Sequence, residues 1–203
     1  MSSKKDNFKS EFPRSCEHSI LYCFDFDGTL VHGHLHNYLV KAKVKPGFAT
    51  SVFVQEFYRT NEGIRCPAEW KELFQTLRDC GQSVAITTFS SYPEVVPIVL
   101  KDMGLDEEHI KSIHVVSGMP ARHNRMCKNE HIAKARTHFN LAQDISCMLI
   151  DDDLNNILVA EAVGHLAVWA DPDQYTFIDI IRTKSWWSHR LASMKTSTLN
   201  RHV

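Results

Sequence analysis

Five short apolar runs recur along the chain, and segments with helical periodicity separate them. A run of about four to eight mostly apolar or β-branched residues bounded by turn residues is typical of a buried strand. Strands that alternate with helices predict an α/β fold, in which helices cover both faces of a mainly parallel sheet in three layers. The runs are residues 20–24, 83–90, 113–116, 145–150 and 166–169.

The segments between the runs carry apolar residues at spacings of three and four, which places those residues on one face of a helix. The aromatic residues among them are expected to belong to the core. The first two helices are predicted from Phe48, Val52, Phe53 and Phe57, and from Trp70, Leu73, Phe74 and Leu77. Later helices are predicted over residues 94–103, from 127 to about 139, and through 160–163.

The first apolar run leads directly into a short acidic loop that contains Asp25, Asp27, Gly28 and Thr29. Chemistry in α/β proteins is concentrated at such strand ends. If the strand ends at Phe26, Asp25 can act as a nucleophile while Asp27 donates and accepts a proton. Gly28 permits a sharp turn, and the Thr29 hydroxyl can tie down the loop. The same pattern also suits a plain capped turn or a calcium loop.

Three further polar groups follow the later runs. The second run carries the hydroxyls of Thr87 and Thr88 near its end, and the fourth is followed by three consecutive carboxylates, residues 151–153. Adjacent carboxylates repel one another unless a cation is present, so they indicate a metal site. Lys128 stands at a predicted helix start, where the helix dipole disfavours a cation, and this favours a functional purpose for it.

These residues, in this order, resemble the four motifs of the haloacid dehalogenase (HAD) superfamily, most of whose members are phosphatases. Residues 25–30 resemble motif I and residues 151–156 resemble motif IV, while motifs II and III are found by position. The resemblance covers roughly residues 20–170. It implies a three-layer, Rossmann-like α/β/α fold and hydrolysis of phosphate monoesters.

The resemblance also implies catalytic roles. Asp25 would become phosphorylated, and Asp27 would be the general acid and base. Thr88 would hold the phosphoryl group, with Thr87 as the rival residue. Lys128 would neutralise the transferring phosphoryl group, although Arg122 or Arg125 could take its place. The expected catalytic and substrate-binding residues are therefore Asp25, Asp27, Gly28, Thr88, Phe89 and Lys128.

The cofactor implied by the resemblance is Mg²⁺. Its expected ligands are Asp25, the main-chain carbonyl of Asp27, Asp151 and Asp152, and Asp152 is favoured over Asp151 as a direct ligand. Asp153 is expected to cap the following helix.

The substrate is expected to be a phosphorylated protein or peptide. The interval between motifs I and II is filled by two predicted helices, and that between motifs II and III by one helix and one strand, so we expect no full cap domain. Capless HAD members have open sites suited to macromolecules, and the aromatic helices beside motif I favour phosphotyrosine over phosphoserine or phosphothreonine. A phosphatase for a small molecule or a nucleotide is the alternative within this fold.

Composition limits the function further. The 203 residues are 43% hydrophobic and 23% charged, with a formal net charge of −1, which gives no basis for nucleic-acid binding. The six cysteines form no metal-ligand or disulfide pattern, which fits a reducing compartment such as the cytoplasm. A general resemblance, carried by no single residue, to capless phosphatases that intracellular bacterial pathogens inject adds the host-cell cytosol as an expected location.

The remaining segments are assigned less specific roles. Residues 1–18 are expected to be a disordered arm, 19–184 the phosphatase domain, and 185–203 a basic, Trp-containing helix or tail. The tail could dock on the core, contact an anionic membrane, or serve a binding module in which catalysis is secondary. His32, His34 and His36 alternate, which suits a loop beside the site more than a metal centre.

Overall fold

A five-stranded parallel sheet forms the centre of the molecule. The computed structural model describes residues 19–119, 128–173 and 177–184. The strands lie in the order β3-β2-β1-β4-β5, and every neighbouring pair is parallel. This order, with the first strand at the centre, is a doubly wound, Rossmann-like arrangement and confirms the predicted fold class. The strands are β1 (Ile20–Phe24), β2 (Ser83–Thr88), β3 (His114–Ser117), β4 (Ser146–Asp151) and β5 (Leu166–Trp169).

Seven helices are placed around this sheet in the described part of the chain, and residues 177–184 are also helical. They are α1 (Leu35–Lys41), α2 (Ser51–Asn61), α3 (Pro67–Asp79), α4 (Val95–Asp102), α5 (Glu107–Ser112), α6 (Asn129–His138) and α7 (Leu154–Ala162).

The central strand β1 is buried on both faces because its side chains alternate between two separate cores. Tyr22 and Phe24 join a large cluster with residues of α1 to α4 and of the helical segment 177–184. Leu21 and Cys23 join a smaller cluster with residues of α6 and α7. The two clusters are the two helix-to-sheet interfaces of a three-layer sandwich.

The larger core is built around aromatic side chains, as predicted for α3. Trp70, Leu73, Phe74 and Leu77 are all fully buried. Phe24 of the central strand packs edge-on against Trp70, with ring centroids 5.6 Å apart. These contacts fix α3 against β1 and thereby hold the strand that ends in the acidic loop.

Two of the predictions for the intervals between motifs are wrong. Three helices, rather than two, lie between β1 and β2, because α1 was expected to be a loop. The short helix α5 between α4 and β3 was also missed. Within the first predicted helix, Phe57 is buried, but Phe48 and Val52 are 70% and 73% exposed and do not belong to the core.

Several predictions fall on residues outside the described ranges. They include the arm of residues 1–18, most of the loop before Lys128 with Arg122 and Arg125, and the tail of residues 185–203. No helix within the ranges given above is long and apolar enough to cross a membrane.

Candidate active site

Three neighbouring strands end at one edge of the sheet, and each brings a polar side chain to it. Asp25 follows β1, Thr88 ends β2 and Asp151 ends β4. The strands are adjacent in the order β2-β1-β4, so residues separated by more than 120 positions in sequence meet around Asp25. Because parallel strands point the same way, this meeting follows from the fold class.

Lys128 lies at the centre of this group. Its side chain is 1% exposed, and its Nζ donates hydrogen bonds to Asp25 Oδ1 at 2.5 Å and to the main-chain oxygen of Thr87 at 2.6 Å. Asp151 Oδ2 lies 3.9 Å from the same nitrogen. Phe89 covers it from another side, with its ring centroid 4.2 Å from Nζ. The structure therefore brings Lys128 and Phe89 to the predicted nucleophile.

Asp151 is held by hydrogen bonds from residues that follow it in the chain. Asn156 Nδ2 donates to both of its carboxylate oxygens at 3.1 Å, and the main-chain N–H of Asp153 donates to Oδ1 at 2.9 Å. Burial, and then the nearby charge of Asp25, raise the pKa of Asp151 to about 8. Asp153 caps α7, as predicted, by accepting a hydrogen bond from the N–H of Asn155 at 2.9 Å.

Asp152 faces the acidic loop that follows β1. Thr29 Oγ1 donates to Asp152 Oδ1 at 3.5 Å. The Thr29 hydroxyl therefore connects the acidic loop after β1 to the acidic segment after β4. Gly28 approaches so closely that a Cβ placed there would lie 2.2 Å from Asp152 Oδ2. Burial, followed by the charge of Asp25, raises the pKa of Asp152 to about 6.

Asp25, Asp151 and Asp152 form an acidic cluster that fits a hard divalent cation. One oxygen from each carboxylate lies within 4.8 Å of the others. Carboxylate oxygens are the ligands that Mg²⁺ and Ca²⁺ prefer. Burial, and then the charge of Asp25, raise the pKa values of Asp151 and Asp152, and a bound cation would offset both effects. The cluster is therefore able to hold a metal ion, and it contains three of the four predicted ligand residues.

The side chain of Asp27 is not part of this cluster. The main-chain N–H of His36 donates to Asp27 Oδ1 at 3.3 Å. Burial, and then the charge of Asp25, raise the pKa of Asp27 to about 6. A carboxyl group that titrates near neutral pH is suited to both donating and accepting a proton.

The two threonines at the end of β2 face different partners. Thr87 Oγ1 donates to the main-chain oxygen of Phe24 at 3.4 Å, inside the sheet. Thr88 Oγ1 accepts a hydrogen bond from the N–H of Ser90 at 3.0 Å, in the loop beyond the strand. Both side chains are buried. The assignment of the phosphoryl-binding role to Thr88 stays a prediction.

Of the three alternating histidines, His32 lies in the expected loop, whereas His34 and His36 belong to the start of α1. His34 is the N-cap residue of α1, and His36 lies in its first turn. His36 Nδ1 is 3.3 Å from Ser90 Oγ, which joins α1 to the loop after β2. Within the described residues no group of three potential metal ligands includes a histidine.

Arg65 is a residue of the site that the sequence reasoning missed. Its buried guanidinium donates hydrogen bonds to the main-chain oxygens of Gly28 at 2.6 Å, Ala170 at 3.1 Å and Asp171 at 2.8 Å. It thereby ties the acidic loop to the segment after β5. No sequence signal identifies it, because a single arginine outside any regular pattern is usually exposed.

Comparisons with known proteins give structural neighbours and no sequence match. A scan against protein-family models found no match, and a search of curated proteins found none either. Two structures of the Legionella pneumophila effector Ceg4 align at 13% identity, with TM-scores of 0.54 and 0.51. Each alignment covers 82% of this chain, and they cover 94% and 95% of the Ceg4 chains. A HAD-like family hydrolase from Porphyromonas gingivalis aligns at 13% identity, with a TM-score of 0.45, over 81% of this chain and 97% of its own.

The alignment with Ceg4 shows a shared fold. It extends over most of both chains, which agrees with the parallel sheet described above. At this level of identity the alignment carries no residue assignments, so the chemistry of the site depends on the contacts of this chain's own side chains.

Proposed function

We propose that this protein is a magnesium-dependent phosphomonoester hydrolase that works through a phosphorylated aspartate at Asp25. The observation that supports this most is the contact between Asp25 and the buried Lys128, beside the acidic cluster. A buried lysine that fixes one carboxylate oxygen leaves the other free to attack and provides positive charge for a transferring phosphoryl group.

In the proposed reaction, an Asp25 carboxylate oxygen attacks phosphorus, and the bond from phosphorus to the substrate oxygen breaks. Asp27 gives its proton to that leaving oxygen. In the second half, Asp27 takes a proton from water, whose oxygen attacks phosphorus and breaks the bond to Asp25. Inorganic phosphate leaves, and both carboxyl groups return to their starting states.

Asp25, Asp151, Asp152 and the main-chain carbonyl of Asp27 would hold Mg²⁺. When bound, the ion offsets negative charge on the carboxylates and on the substrate phosphate. Thr88 and the main-chain groups around Gly28 and Phe89 are proposed to bind the phosphoryl oxygens.

We propose a phosphorylated protein as the substrate, with phosphotyrosine favoured. The helices α1 to α3 fill the interval between β1 and β2 and contribute to the core of the sheet, which supports a capless enzyme with an open site. We propose the cytoplasm as the general location of the protein. The shared fold with an effector of Legionella pneumophila supports the host-cell cytosol as a second proposed location.

Phosphate release tests this proposal. The substrates are p-nitrophenyl phosphate, phosphotyrosine and phosphoserine peptides, and a set of sugar phosphates and nucleotides, each with Mg²⁺ or EDTA. We expect turnover with Mg²⁺ that Asp25→Asn abolishes and that Asp144→Asn, an exposed control, leaves intact. Turnover that survives Asp25→Asn would contradict the mechanism, and preference for a nucleotide or sugar phosphate would overturn the protein substrate.

A further inference from the structure

A basic and apolar ridge runs from the last turn of α1 to the first turn of α2. It consists of Lys41, Lys43 and Lys45 together with Val40, Phe48 and Val52, and all six residues are exposed. Phe48 and Val52 expose 70% and 73% of their surface, and Val40 exposes 52%. Single exposed apolar residues are ordinary, but three of them among three lysines within 13 residues of sequence indicate a contact surface.

The positive charge of the ridge is not neutralised by ion pairs inside the described part of the chain. The ion pairs found there involve other lysines, such as Lys111 with Glu107 and Lys134 with Glu130. Among the described residues, the three lysines outnumber the one carboxylate hydrogen-bonded to this segment, that of Glu94, so the ridge carries an excess of positive charge. Such a patch attracts an acidic partner and repels a basic one.

Hydrogen bonds from Tyr92 and to Glu94 fix the second half of the ridge segment to the chain that follows β2. Tyr92 Oη donates to the main-chain oxygen of Val44 at 2.8 Å. Glu94 Oε1 accepts from the N–H of Gly47 at 2.6 Å and from that of Ala49 at 3.4 Å. These bonds join the ridge to the segment that follows Thr88, so the surface is held in place before any partner arrives.

The end of the ridge at Lys41 lies within a short reach of Asp27. The helix α1 begins where His36 contacts Asp27, and its seven residues span about 10 Å at 1.5 Å per residue. An extended peptide advances about 3.3 Å per residue. A peptide with its phosphorylated residue at Asp25 would therefore reach the ridge about three to six residues away.

We propose that this ridge binds an acidic segment with an apolar residue, located about three to six residues from the phosphorylated residue of the protein substrate. The inference rests on the proposed function and specifies its substrate class. The three lysines face the carboxylates of the segment, and Phe48 and Val52 contact its apolar side chain. Electrostatic binding at an exposed surface such as the ridge weakens as the salt concentration increases.

The test compares two phosphotyrosine peptides that differ only at those flanking positions. One carries Glu, Asp and Leu there, and the other carries Gln, Asn and Ser. The enzymes are the wild type, the ridge variant Lys41→Gln/Lys43→Gln/Lys45→Gln, and the matched control Lys101→Gln/Lys111→Gln/Lys134→Gln on exposed parts of α4, α5 and α6. Hydrolysis of p-nitrophenyl phosphate is measured for each.

We expect the ridge variant to raise KM for the acidic peptide about tenfold at low salt, with kcat and p-nitrophenyl phosphate hydrolysis unchanged. The control variant and the neutral peptide should show changes below about twofold, and 0.5 M salt, roughly three times the physiological level, should remove most of the difference. Phe48→Ser should raise KM for the acidic peptide alone.

Equal KM values for the two peptides in the wild type, with p-nitrophenyl phosphate hydrolysis intact, would overturn the inference while leaving the proposed function in place. A lack of turnover on p-nitrophenyl phosphate would overturn the proposed function and, with it, this inference. Sedimentation with phosphatidylserine vesicles provides a further check. Lysine-dependent vesicle binding without any effect on peptide KM would overturn the inference in favour of a membrane contact.

Discussion

Lys128 Nζ lies 2.5 Å from Asp25 Oδ1, and the two side chains are 1% and 10% exposed. A lysine buried to this degree is costly unless its charge is paired, and here the carboxylate of Asp25 and the main-chain oxygen of Thr87 satisfy it. The pair joins the start of α6 to the end of the central strand. It therefore links the stability of the fold to the arrangement of the site.

Lys128→Met should reduce both activity and stability. The change leaves Asp25 and Asp151 without this buried cation and removes the positive charge proposed to face the phosphoryl group. We expect kcat to fall at least about 100-fold and the free energy of unfolding to fall by about 3 kcal/mol, measured by urea denaturation. Lys134→Met breaks a partly exposed pair with Glu130 and should change stability by less than about 0.5 kcal/mol. A Lys128→Met enzyme with near-normal kcat would contradict the assigned role.

The two threonines of β2 can be separated by mutation. Thr88→Ala removes the hydroxyl at the strand end, whereas Thr87→Val removes a hydroxyl that bonds inside the sheet and leaves the main-chain oxygen that Lys128 contacts. We expect Thr88→Ala to lower kcat/KM about 100-fold, because one charge-facing hydrogen bond is lost, and Thr87→Val to lower it less than about tenfold. The reverse order, measured on p-nitrophenyl phosphate, would assign the phosphoryl contact to Thr87.

Gly28→Ala should disturb Asp152 without a direct change to any acidic residue. Gly28 has a φ of 82°, and a Cβ there would lie 2.2 Å from Asp152 Oδ2. We expect at least about a tenfold rise in the Mg²⁺ concentration that gives half-maximal turnover, because changes to groups that position a metal ligand typically weaken metal sites by about 10- to 100-fold. Gly81→Ala is the control, since Gly81 also has a positive φ, of 64°, but no atom within 4 Å of the added Cβ. An unchanged Mg²⁺ dependence in Gly28→Ala would show that Asp152 can move freely.

The stability of the protein should depend on pH through His131. Burial, and then the charge of Lys128, lower the pKa of His131 to about 4, while the unfolded chain has a pKa of about 6.5. The contribution of neutral His131 is complete above pH 6.5, and it is lost as the pH falls toward 4 because only the unfolded chain gains the proton. Between pH 7.5 and 5.0 the wild type should therefore lose about 1–2 kcal/mol more than His131→Gln. Parallel losses in the two proteins would contradict the assignment.

The acidic loop and the strands around it could be predicted because the apolar runs mark the strands and the acidic residues stand directly after them. The apolar run of β1 is followed at once by Asp25, and the apolar run of β4 by Asp151. Parallel strands necessarily bring such ends to one edge of the sheet. The distance from Lys128 to this edge could not be calculated from spacing, but its unfavourable place at a helix start gave a physical reason to select it.

The helix α1 was missed for a local reason. It has only seven residues, its N-cap residue His34 makes no side-chain cap hydrogen bond, and the alternation of histidines suggested an extended segment. Its position is set by tertiary contacts, including the hydrogen bond from His36 to Asp27. Arg65 was missed because its three partners belong to distant parts of the chain, and no local pattern records such a contact. The exposure of Phe48 could not be inferred, because it precedes the start of α2 and does not share the phase of that helix.

The central claim is that Asp25 becomes phosphorylated, and a direct measurement is to trap that group. Wild-type protein is mixed with p-nitrophenyl phosphate and Mg²⁺, quenched in acid and reduced with borohydride, whose hydride converts an aspartyl phosphate to homoserine. Peptide mass spectrometry then locates the modified residue. We predict homoserine at position 25 and none in Asp25→Asn. Homoserine or phosphate at another residue, or continued turnover with no trapped species in either protein, would contradict the account.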